Sequence, residues 1–163
     1  LPISAALVPL EMDSLLGASK NIGVSSIVSS AIRLHGQMML CGQASATLAW
    51  SCLIQNKQPR ELLKDLEQIR EVQKVLVKGK DGPGVLLWPY HDVPPEHRSF
   101  EAINLLSVRG IWKPEADSIF FKPDETISEE LWKQLLEKVP AAKGPTPKSR
   151  GDAALALYKV LSP

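Results

Sequence analysis

Leu34-His35-Gly36-Gln37-Met38-Met39-Leu40-Cys41-Gly42-Gln43-Ala44-Ser45-Ala46-Thr47-Leu48-Ala49-Trp50-Ser51-Cys52-Leu53-Ile54-Gln55-Asn56 contains no Asp, Glu, Lys or Arg. A run of this length can cross a bilayer. It also carries His35, Gln37, Gln43, Ser45, Thr47, Ser51, Gln55 and two glycines, too much polarity for a lipid-facing helix. The pattern therefore predicts no membrane span. It predicts a helix starting at Gly36 or Gln37, ending near Asn56 and buried on most sides in a larger protein. Gly42, Ala44, Ser45, Ala46 and Ala49 keep that helix thin, so a backbone or a ligand can approach it closely. Cys41 and Cys52 share one face about three turns apart, ~16 Å, which is too far for a disulfide.

Upstream, residues 3–8 and 14–18 read as two short strands separated by Pro9-Leu10-Glu11-Met12-Asp13. The second, Ser14-Leu15-Leu16-Gly17-Ala18, is a small-apolar run of the kind found in strands covered on both faces. Residues 19–30 show little periodicity and predict a loop with a helical turn before Arg33. Leu1 is not preceded by an initiator methionine, so the chain reads as a fragment or a processed product, and a missing leader says nothing about targeting.

Downstream, Gln58-Pro59 opens a helix, with proline where its missing N–H costs nothing. Leu62, Leu66, Ile69, Val72 and Leu76 give that helix one apolar stripe, and glycines at 79, 82 and 84 end it. The last part is rich in proline. It predicts a helix over 95–109 with Gly110 just past its end, a short extended run Ile119-Phe120-Phe121, a helix capped by Ser128, a loop over 141–148 and a final helix. Ser149-Arg150-Gly151-Asp152 has capping-box spacing for that last helix. The whole reads as two parts, 1–57 and 58–163. With 44% hydrophobic and 23% charged residues and a net charge of +1, the composition is that of a globular protein and gives no case for nucleic acid. His91, Asp92 and His97 match no metal-ligand spacing, and no nucleophile elbow is present.

Four pieces occur in order: Leu7-Val8-Pro9; Asp13 to Ile22 with Ala18-Ser19-Lys20; Ser30-Ala31-Ile32-Arg33; and Gly42-Gln43-Ala44-Ser45-Ala46. Together they resemble the C-terminal end of a bacterial FAD-dependent oxidoreductase family often labelled "xanthan lyase". The family pattern has Gly-Arg where this chain has Ser19-Lys20, and a final Gly where it has Ala46. The resemblance implies an α/β fragment, the last strands and helix of an FAD-binding domain, followed by a small, mainly α-helical module. It implies FAD as cofactor, held only together with an N-terminal part of the same protein or a second chain, because no Gly-x-Gly-x-x-Gly segment occurs in these residues. A small-molecule substrate follows, though nothing points to polysaccharide cleavage.

On this resemblance Ser19, Lys20, Gly36, Gln37 and Met38 contact the flavin, and Arg33 and His35 are the catalytic candidates. Arg33 is the only charge between Lys20 and Lys57. It pairs either with a carboxylate elsewhere or with an anion over the flavin. His35 is either a hydrogen-bonded loop histidine or an acid/base. The second part, from Asp92-Val93 through Phe100, Ile103, Leu106, Arg109-Gly110-Ile111, Phe120 and Lys122-Pro123-Asp124 to the 149–158 segment, resembles one and a half S-layer-homology units. That implies a structural appendage, or alternatively a non-enzymatic cell-wall or partner-binding module on an FAD-domain-derived scaffold, and leaves the compartment open, periplasm and cell envelope included.

Overall fold

The structure, a computed structural model, describes residues 8–79, 84–112 and 118–161. Its regular elements are helices: α1 Ser26–Ile32, α2 His35–Gln55, α3 Pro59–Leu62, α4 Leu66–Lys78, α5 Phe100–Val108, α6 Glu129–Lys138 and α7 Arg150–Leu161. The chain divides into two compact units, Leu1–Leu76 and Val77–Pro163.

The expected α/β fragment is not what forms. The described residues contain no sheet, and their only strand-like pairing is an isolated bridge between Thr126 and Ser149. Of the two expected strands, 3–8 falls almost wholly outside the described residues. Residues 14–18 are described and pair with no strand. The cause is visible in their hydrogen bonds. Ser14 lies in the left-handed region at φ 58°, and its N–H donates to Gln58 Oε1 at 3.0 Å. Gly17 O accepts from the Ser45 hydroxyl, and Ala18 N donates to Asn21 Oδ1 at 3.2 Å. Side chains take up backbone groups that a ladder would otherwise use.

In the first unit, α2 begins at His35, close to the predicted start. It ends at Asn56, whose φ of 50° lets Lys57 N reach back to Cys52 O at 3.0 Å. Met38, Ser45, Leu48, Ser51 and Cys52 are its buried residues. Gly42 matters for close approach: a Cβ there would sit 3.4 Å from Ala18 O, so the 17–18 backbone lies directly on the helix. The single helix expected after Pro59 is two. Gln58 and Glu61 form a reciprocal capping box around α3. Then Asp65 stops the run and restarts it, its carboxylate accepting from Glu67 N at 3.0 Å. Val72 and Leu76 of the predicted stripe are buried.

In the second unit the core gathers Phe100, Ile103, Leu105, Leu106, Trp112, Phe121, Ile127, Trp132, Leu135 and Leu157. The helix expected over 95–109 is shorter, because Pro94 and Pro95 lead into turns in which Pro94 O and then His97 O accept from His97 N and Phe100 N. It ends in a Schellman motif: Gly110, at φ 70°, donates to Ser107 O, and Ile111 N donates to Leu106 O, both at 3.0 Å. Asn104, with no exposed surface, ties the incoming chain to α5 by accepting from Leu87 N and Trp88 N. Asp92 accepts from Phe121 N and Lys122 N. That bond seats Phe121 between Tyr90 and Trp112, at ring separations of 5.2 and 4.9 Å. Ser128 caps α6 through Leu131 N, and Ser149 caps α7 through Asp152 N at 3.1 Å.

Candidate functional site

The start of α2 is a helix N-terminus without a cap. Leu34 stands at the cap position and offers no side-chain acceptor, and the first turn holds no acidic residue. The first helical bond is Met38 N to Leu34 O at 3.1 Å. Among the described residues nothing accepts from the amides of His35, Gly36 or Gln37. Such amides carry the positive end of the helix dipole and favour an anion. Gly36 has nothing within 4 Å of where a Cβ would lie, so the approach to these amides is open.

Five sequence-predicted residues cluster here by continuity of the chain: Arg33, His35, Gly36, Gln37 and Met38. The first four are exposed, and Met38 is buried. Met38 also spends its amide inside the helix, so the free donors are those of 35–37. Arg33 ends α1, its amide bonded to Ser29 O at 3.0 Å. Its guanidinium makes no ion pair among the described residues.

Ser19 and Lys20 reach the helix differently. Gly17 O meets Ser45, and Ala18 O lies by Gly42. One residue along the segment therefore moves three residues back along the helix. Over residues 17 and 18 the segment runs antiparallel to α2, and Ser19 and Lys20 follow in the turn that Asn21 closes. No hydrogen bond joins Ser19 or Lys20 to residues 33–38 among the described residues.

Two side chains passed over by sequence reading organise this segment. The Ser45 hydroxyl is buried and anchors Gly17 O. The Asn21 carboxamide accepts from both Ala18 N, at 3.2 Å, and Ser19 N, at 3.0 Å. The signal for Asn21 was its place among turn residues, where Asn commonly bonds nearby amides. Ser45 offered no signal, since its partner lies 28 residues away.

Other features of the first unit are less directed. A cavity of about 350 Å³ lies between the end of α2 and α3, lined in part by Leu16, Cys52, Leu53, Lys57, Gln58 and Glu61. Burial pushes the Cys52 thiol above its ordinary value, so it stays protonated and is a poor nucleophile. Both cysteines are free. Among the described residues there is no cluster suited to a metal ion, and no helix is long and apolar enough to cross a membrane.

Residues 2–76 match the family model described as FAD dependent oxidoreductase. The match ends where the first compact unit ends. That unit is thus similar to a portion of a flavin-dependent oxidoreductase, and residues 77–163 lie outside the similarity. The chain has no significant match among curated proteins or solved structures.

Proposed function

We propose that the first unit forms the flavin end of the FAD site in a flavin-dependent oxidoreductase, with the start of α2 facing the flavin. The observation that carries this is the uncapped, acid-free N-terminus of α2 inside the stretch similar to FAD dependent oxidoreductases. The donor set suits the group: open amides at 35–37 and a neighbouring cation, Arg33, fit the electron-rich edge of a flavin ring. When bound, FAD supplies two-electron redox chemistry, and its reduced form carries negative charge near N1 and O2. The amides of Gly36 and Gln37 hold that edge, and Met38 packs beneath the helix start. Ser19 and Lys20 contact the cofactor from the segment laid along α2. Arg33 orients an anionic group of the small-molecule substrate or stabilises charge on the ring. His35, exposed at the first helical position, is the nearby acid/base candidate.

The rest of the FAD site comes from an N-terminal part of the same protein or from a second chain, because these 163 residues hold no Gly-rich phosphate-binding segment. That part also covers the uncharged surface of α2, where Met39, Trp50 and Leu53 are 73%, 54% and 82% exposed. The second unit is a helical appendage to the oxidoreductase. The S-layer-like positions Phe100, Ile103, Leu106 and Gly110 serve its core and a helix end.

The test is a flavin titration of the 163-residue chain beside the protein carrying a complete FAD-binding domain. The chain alone is expected not to bind FAD with micromolar or tighter affinity, and the complete protein to show flavin absorbance after purification. A complete protein that is colourless and takes up no FAD would overturn the proposal.

A further inference from the structure

We infer that Asn21 is a positioning residue for the flavin contact, setting the orientation of Ser19 and Lys20; the inference rests on the function proposed above. The segment reaching those residues is fixed at two points. Gly17 O is held by the buried Ser45 hydroxyl, which anchors the segment to α2. One residue on, the Asn21 carboxamide oxygen accepts from Ala18 N and Ser19 N together. Two amides converging on one oxygen fix the peptide plane between Ala18 and Ser19, and with it the direction in which the Ser19 side chain leaves the backbone.

This turn is exposed. Without the Asn21 acceptor its two amides turn to water at little cost in global stability. What is lost is the single orientation of residues 18–20. A role in positioning therefore separates from a role in folding. Ordering those residues would have to be provided by the ligand, which weakens binding without weakening the fold.

The experiment compares wild-type, Asn21→Ala and Asn21→Asp forms of the protein carrying the complete FAD-binding domain. FAD affinity is read by fluorescence titration and melting temperature on the same samples. Hydrogen exchange at the Ala18 and Ser19 amides is read on the form without cofactor. Asn21→Ala is expected to weaken FAD binding about tenfold, with an unchanged melting temperature and faster exchange at both amides. Asn21→Asp keeps the acceptor oxygen. It is expected to restore slow exchange, and to restore affinity at high salt, where its added charge is screened. Wild-type affinity in Asn21→Ala, or failure of Asn21→Asp to restore it, overturns the inference and leaves the flavin site standing. A wild-type protein that binds no flavin overturns both.

Discussion

Replacing Arg33 with Ala separates an electrostatic role from a structural one, because the structure leaves the guanidinium so little to do for the fold. It is exposed and makes no ion pair among the described residues. Its one favourable local term is a cation at the C-terminal end of α1, worth about 0.3–1 kcal/mol. For a chain of this size that is a melting shift of roughly 2–4 °C at most. On the proposed function the electrostatic term is expected to be larger. Arg33 stands two residues before the first free amide of α2, so two positive elements meet at one place. Donors of this kind contribute about 10²-fold or more when charge develops beside them.

The matching assay is turnover and flavin reduction potential in the complete protein, with a thermal melt on the same preparation. A hundredfold loss is about 2.7 kcal/mol. In a two-electron couple that corresponds to a potential lower by roughly 60 mV, if the charge acts on the reduced ring. Lower turnover with an unshifted potential would place the charge on the substrate instead. Unchanged turnover together with a large loss of stability would remove Arg33 from the site and make it the partner of a carboxylate elsewhere.

Asn104→Ala in the second unit strips partners from the amides of Leu87 and Trp88 and from Phe100 O. It should cost about 3 kcal/mol in a urea titration followed by tryptophan fluorescence, and a cost below about 1 kcal/mol would mean water replaces the carboxamide. The Asp152 carboxyl is held below its ordinary value chiefly by the Ser149 hydroxyl, with Arg98 adding to the effect. Its contribution is therefore present above the unfolded value and lost as pH falls through the folded one; Asp152→Asn should flatten the acid limb of the stability profile below pH 3.8, and an unaltered limb would contradict this. Leu53→Lys places a charge where the side chain is 82% exposed. It should move the melting temperature of the 163-residue chain little, yet destabilise a protein that carries the rest of the FAD-binding domain; equal effects in both would mean that nothing covers this face of α2.

Helices were legible where their ends were written locally. Ser128, Gly110 and the Ser149–Asp152 pair each act within a few residues, so composition and spacing sufficed. The strand at 14–18 could not be judged that way, because a strand exists only through partners distant in sequence. Here the distant partners proved to be side chains, Gln58 at a separation of 44 residues and Ser45 at 28. The break at Asp65 lies between those cases. The stripe Leu62, Leu66, Ile69, Val72 and Leu76 continues across it, since a short turn barely disturbs a three- and four-residue rhythm. The cap that breaks it was readable all the same, as an Asp directly before Leu66-Glu67.

At the candidate site, the sequence offered a lone charge and a helix start, and α2 begins within two residues of the expected place. What it withheld is which amides remain free. That depends on where the first helical bond forms, and with Met38 N on Leu34 O the amides of 35–37 have no acceptor among the described residues. Met38 is buried while Met39 and Leu40 are exposed, so one end of the helix offers donors to an anion while its side offers apolar surface to protein. Each is a cost left open in this unit: uncapped amides on one hand, exposed apolar side chains on the other. A ligand alone would offset the first and a protein surface alone the second. On the proposed function, an FAD-binding domain that covers α2 with its cofactor in place would offset both, and a cofactor titration of that protein should register as a rise in stability.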